Sequence, residues 1–187
     1  MTSTALLTKP VHCQICGRAI KAKRGQLALH GYRRPHLGWQ TASCPGARQL
    51  PYEVDRSAIK RTVAGLQDWI AGAERTTAEW IAKPPAALSY QHRVGGPSYR
   101  PLYETRSEPR PEGFDPAAVF PRVGREDELR YARLFASRQA ERAEAVRGAQ
   151  ATVKELQARF DAWAPDAELQ AMWAASGYRL EGLHQID

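Results

Sequence analysis

The first fifty residues contain no aspartate and no glutamate. Three Lys and five Arg give that stretch a formal +8, whereas the other nineteen bases and twenty acids leave the rest at −1. The net charge of +7 therefore belongs to the first quarter of a 187-residue chain, and such segregation points to an anionic partner. No run approaches eighteen consecutive apolar residues, so no membrane-spanning helix is expected. The N-terminus lacks a basic start followed by a long apolar stretch, which argues against a secretory leader and for a reducing cytoplasm. Cysteine is scarce: Cys13, Cys16 and Cys44 cannot pair completely, and in that compartment they favour metal over disulfides. A phosphate-cradling glycine loop, a nucleophile elbow and a carboxylate–metal motif are all missing. The expected protein is accordingly not an enzyme.

All three cysteines lie inside the acid-free stretch. Cys13 and Cys16 have the C-x2-C spacing with which one tight turn aims two thiolates at one ion. Gly17 follows at a point where such turns often need a backbone without a Cβ. Thirteen residues separate Cys16 from His30, and thirteen more separate His30 from Cys44, which opens the turn Cys44-Pro45-Gly46. Three thiolates and one imidazole suit a closed, tetrahedral, structural Zn2+. His36 is the rival fourth ligand, and His12, beside Cys13, a weaker third. Cysteines buried in a small apolar core and a redox dithiol are the other readings of the same residues. Within the module no carboxylate stands by to serve a metal-bound water, so a catalytic ion would need Glu53 or Asp55 close to an open position.

Between Cys16 and Cys44 lie Arg18, Lys21, Lys23, Arg24, Arg33 and Arg34, the candidate contacts to DNA or RNA phosphates. Tyr32 and Trp39 either stack on unpaired bases or cover the small metal core. Alternation at Ile20, Ala22, Leu27 and Leu29 predicts two short strands joined at Arg24-Gly25-Gln26.

The segments Cys-Gln-Ile-Cys-Gly-Arg (13–18), His-Gly-Tyr-Arg-Arg-Pro (30–35), Gly-Trp-Gln (38–40), Ser-Cys-Pro-Gly (43–46) and Leu-Pro-Tyr-Glu-Val (50–54) carry a resemblance. Over residues 11–55 the chain resembles a group of small zinc-finger-like proteins of bacterial phages and mobile elements. The resemblance implies Cys13, Cys16, His30 and Cys44 as ligands, with His30 preferred to His36 because it opens the His-Gly-Tyr motif. It implies no reaction.

Beyond the module, Ile59, Val63, Leu66, Ile70, Ala73, Thr77 and Trp80 alternate at intervals of four and three, the seam of a helix meeting a partner helix. Asp55 or Ser57 can cap its start, and Pro84-Pro85 ends it. A second seam runs through Ala132, Phe135, Gln139, Arg142, Val146, Ala149, Val153, Leu156, Phe160 and Trp163, stopped by Pro165. Leu88, Tyr90 and Val94, then Tyr99 and Tyr103, alternate around Gly95-Gly96-Pro97 and predict a β-hairpin, with a loop over 107–116. Tyr90, His92, Arg93, Tyr99 and Arg100 are candidates for an exposed recognition tip, through which, or through the stalk itself, a protein partner would bind.

The expected fold is α+β, mostly α. A basic, zinc-ribbon-like (or treble-clef-like) β module over 10–55 precedes an antiparallel helical hairpin over 56–165, whose tip holds a β-hairpin at about 88–104. A C-terminal helix and tail over 166–187 carry Leu169, Met172 and Trp173 on one face, followed by Tyr178, Leu180, Leu183 and Ile186. Trp69, Trp80, Trp163 and Trp173 fall on helical faces and are expected to anchor cores. Functionally the sequence favours a non-catalytic zinc protein that binds nucleic acid, with an adaptor or inhibitor inside a larger assembly as the alternative.

Overall fold

The computed structural model describes residues 11–23, 25–31, 43–96, 98, 101–117 and 126–175. Arg24, Tyr32, Arg33, Arg34, His36, Trp39, Tyr99, Arg100 and the apolar tail positions from Tyr178 to Ile186 lie outside these residues. The described chain is a mixed α+β structure rich in helix. In order it forms β1 (Val11–His12), β2 (Ala19–Ile20), β3 (Ala22–Lys23), β4 (Gln26–Leu27), α1 (Ser57–Ala82), β5 (Ala87–Gly95), β6 (Leu102–Pro109), α2 (Glu126–Asp161) and α3 (Ala167–Ala175). Each strand pairs antiparallel with its neighbour: β1 with β2, β3 with β4, β5 with β6. Lys23 stands opposite Gln26, and between them Gly25 holds a φ of 78° that suits a residue without a Cβ.

The seams in the sequence correspond to the covered faces of the helices. Along α1, Ile59 and Val63 are buried and Leu66, Ile70, Ala73, Thr77 and Trp80 half-buried, while most residues between them face solvent. Along α2, Ala132, Phe135 and Leu156 are buried and the intervening seam positions half-buried, Gln139 and Arg142 included. Asp55 and Ser57 do meet at the start of α1, where the serine hydroxyl donates to Asp55 Oδ2 at 2.5 Å. The Ala58 N–H, however, is satisfied from elsewhere, by Gln14 Oε1 at 2.9 Å.

The β5–β6 hairpin is longer than its sequence suggests. β6 continues through Pro109, so residues 107–109 of the expected loop are strand, with Leu88 opposite Glu108. A two-stranded ribbon covers little apolar surface, so the polar run Glu104–Ser107 pairs without an alternating apolar signal. Glu108 is buried, and its Oε1 accepts from Arg130 Nη1 at 2.8 Å and from the Tyr90 hydroxyl at 3.2 Å.

By contacts the chain divides into two compact units, one of residues 1–68 with 148–187, the other of residues 69–147. The first has a core of Val11, Cys13, Ile15, Leu27, Cys44, Ala58, Ile59, Val63, Leu156, Leu169 and Trp173. The β module thus shares one core with the start of α1, the end of α2 and α3. Asp166 caps α3 through the Leu169 N–H at 3.0 Å, and the Trp173 indole donates to the Gly25 carbonyl at 2.7 Å. The second unit is centred on Leu88, Tyr131 and Phe135, with Trp80, Phe114 and Leu134 against them. Trp80 stacks on Phe135 with ring centroids 3.9 Å apart, and Phe114 meets Tyr131 and Phe135 edge-on. The Tyr131 hydroxyl donates to the Pro85 carbonyl at 2.7 Å, and burial pushes its pKa up. Of the four tryptophans expected on helical faces, Trp80 and Trp173 belong to the cores, whereas Trp69 is 48% exposed and Trp163 lies beyond the end of α2, in neither core.

Candidate metal centre

The centre begins with the pairing of β1 and β2, Val11 opposite Ile20 and His12 opposite Ala19, which folds residues 13–18 into a tight turn. The Cys13 N–H donates to the Arg18 carbonyl at 2.9 Å, and the Gly17 N–H to the Cys13 carbonyl at 3.0 Å. Gly17 closes the turn at a φ of 70°, as the sequence predicts. His30 follows β4. The Cys44 N–H donates to the His30 carbonyl at 2.8 Å, and a bridge between Gly31 and Ser43 holds the two segments side by side.

These connections bring Cys13, Cys16, His30 and Cys44 together, their ligand atoms all within 4.8 Å of one another. The sequence-predicted set is the group that can hold a metal ion. Cys13 Sγ lies 3.8 Å from Cys44 Sγ, and Cys16 Sγ 3.5 Å from His30 Nε2. Sulfurs bound to a tetrahedral zinc at ~2.3 Å lie about 3.8 Å apart, and a sulfur and an imidazole nitrogen about 3.5 Å. The spacing fits a metal such as zinc, whereas a disulfide needs about 2.05 Å and the three cysteines are free.

His30 is prepared for this role by its other nitrogen. Nδ1 lies 2.8 Å from the Ala28 carbonyl, which can only accept, so Nδ1 carries the proton and Nε2 keeps its lone pair toward the cysteines. Cys44 receives the Gly46 N–H at 3.4 Å. That close approach explains the glycine: a Cβ at position 46 would lie 2.3 Å from Cys13 Sγ, inside any permissible contact. The buried sulfurs also share charge unequally. A hydrogen bond from Cys44 is the main cause that lowers the Cys13 thiol to about 4, and the same bond, followed by burial, pushes the Cys44 thiol up. A cation removes the need for that shared proton.

Of the six bases singled out in the sequence, the side chains of Arg18 and Lys21 are described. Lys21 is exposed. Arg18 is exposed as well, its guanidinium donating to the Gly31 carbonyl, and its hydrogen bond to Cys16 raises its pKa further. Lys23 lies on β3; Arg24, Arg33 and Arg34 lie outside the described residues.

The candidate carboxylates have other partners. Glu53 accepts the His12 backbone N–H at 3.0 and 3.1 Å and its ring Nδ1, while Asp55 accepts from Ser57 and, at 3.3 Å, from Gln14. His12 is thereby engaged by Glu53 and is not part of the Cys/His group. Two residues carry roles that the sequence reading did not give them. Gln14 is fully buried, donating to the Leu50 carbonyl at 2.8 Å and accepting from Ala58 at the start of α1. Arg159, near the end of α2, donates to the carbonyls of Cys13 and Ile15, both at 3.0 Å. A polar residue between two ligand cysteines is the faint signal for Gln14; Arg159 leaves none, being one base among many on a charged helix.

No protein-family model matches the chain, and no curated protein or solved structure does either. No helix among the described residues is long and apolar enough to cross a membrane.

Proposed function

We propose that this is a non-catalytic zinc protein whose ion organises a basic N-terminal segment for binding nucleic acid. Cys13, Cys16, His30 and Cys44 hold the Zn2+ through three thiolates and a neutral imidazole, and the ion supplies folding energy and not a reactive water. The observation that carries the binding function is the acid-free first fifty residues, which hold eight bases together with the four ligands. Lys21, Lys23, Arg24, Arg33 and Arg34 are the phosphate contacts. Arg18 braces the Cys16 sulfur and adds its charge at close range. The resemblance of residues 11–55 to phage and mobile-element zinc-finger-like proteins supports the ligand set and not the nucleic-acid partner.

Counterion release gives the test. Zinc-loaded protein shifts DNA or RNA in a gel at low salt, and with five phosphate contacts log K falls against log salt with a slope of about −4.5. Lys21→Ala makes that slope about one unit shallower. A zinc-loaded chain that shifts neither DNA nor RNA at low salt refutes the binding function.

A second reading, an adaptor or inhibitor within a larger nucleoprotein assembly, rests on the exposed Val94, Leu102 and Tyr103 around the turn of the β5–β6 hairpin. Failure in the gel, combined with a stoichiometric bound protein partner, transfers the function there.

A further inference from the structure

We infer that Arg159 is a positioning residue for the metal centre, so that metal loading and docking of the end of α2 form one coupled event. The inference rests on the metal-binding reading above. The C-x2-C turn has two carbonyls, those of Cys13 and Ile15, on which the guanidinium converges with Nη2 and Nη1, each at 3.0 Å. A planar fork donates to both at once, whereas an ammonium is a single point that cannot reproduce the pair. The guanidinium lies against Gly17, whose φ of 70° and not the space around it favours a residue without a Cβ.

Arg159 is itself held in place. Its guanidinium lies 5.0 Å from the centre of the Tyr52 ring, and the Tyr52 hydroxyl donates to the Arg159 carbonyl at 2.5 Å. The Trp163 indole donates to the Tyr52 carbonyl at 2.5 Å, and the Tyr52 N–H donates to the His12 carbonyl at 2.8 Å. A closed circuit of bonds therefore runs from β1 through Tyr52 and α2 back to the two carbonyls between the first pair of cysteines. In this shape the turn brings the Cys13 sulfur to Cys44 and the Cys16 sulfur to His30. Outer groups that orient ligands commonly set metal affinity by tenfold or more. Because coupling of this kind is reciprocal, an ion that fixes the turn also holds the end of α2.

The test uses the full chain and zinc alone as ligand, by competition against a chromophoric chelator. Arg159→Ala and Arg159→Lys both lower zinc affinity about 10- to 100-fold, the lysine failing although it keeps the charge. With Co2+ in place of zinc, the d–d bands of both variants weaken relative to the unaltered chain as the tetrahedral set relaxes. A merely structural role for Arg159 lowers the melting temperature while leaving the Co2+ spectrum and the affinity of the folded protein unchanged. Affinities within twofold of the unaltered chain for the folded lysine variant overturn the inference, even if the alanine variant does not fold. An unaltered chain that takes up no stoichiometric zinc overturns instead the metal reading beneath it.

Discussion

Around the Cys/His group the chain folds into strands of two residues each, whereas the β5–β6 hairpin of the second unit has strands of nine and eight. The first unit closes on three sulfurs and an imidazole, and strands so short add few ladder hydrogen bonds. The second closes on an aromatic stack of Trp80, Phe135, Tyr131 and Phe114 that asks for no ion. Buried sulfurs and stacked rings answer the same shortage of core by different physics. Thiolates gathered in one place repel until a cation arrives, while rings attract on contact.

Removing the ion is the largest perturbation of that contrast. Structural zinc contributes about 10–16 kcal/mol to small metal-folded peptides. Chelation is expected to abolish hydrogen-exchange protection over residues 11–66 and 153–173 while sparing the strands of 87–109 and the helix around Phe135. Uniform loss over the whole chain would show that the two units fold as one. Phe135→Ala is the converse change. It removes the ring on which Trp80, Phe114 and Tyr131 converge, at a cost of about 3–5 kcal/mol in denaturant melts. Zinc affinity is expected to stay within twofold of the unaltered chain, and a larger drop would tie the aromatic cluster to the centre. Gln14→Ala is smaller, about 1–3 kcal/mol, because it strands the Ala58 N–H and the Leu50 carbonyl. Its effect belongs to the first unit alone, read as faster exchange at the start of α1 with the Tyr131 region unchanged.

Much of this arrangement could be read from residue spacing. A thiolate site leaves fixed intervals in a chain, so Cys13, Cys16, His30 and Cys44 stood out, and helical seams leave a period, so both covered faces did too. Features that depend on distant partners left no such trace. The polar strand ending at Pro109 shows itself only through Arg130 and its grip on Glu108. Trp69 groups with the other tryptophans by its size, although it lies off the seam of Leu66, Ile70 and Ala73 and so on the wet face of α1. Arg18 shows the same limit, because charge is visible in sequence and direction is not: its exposed side chain bonds to Cys16 and Gly31. The joint core of the first unit was equally hidden. Short β modules are easily read as self-sufficient, but Leu27 and Val11 are covered by Leu156, Leu169 and Trp173 from the other end of the chain.

That last arrangement bears on how the molecule is born. A ribosome releases the cysteines early and Trp173 late, with synthesis of the intervening stretch taking on the order of ten seconds. The cysteines are thus made before Arg159 and α3 exist to pack against their turn, so the sheltered centre is a late product of translation and not its starting point.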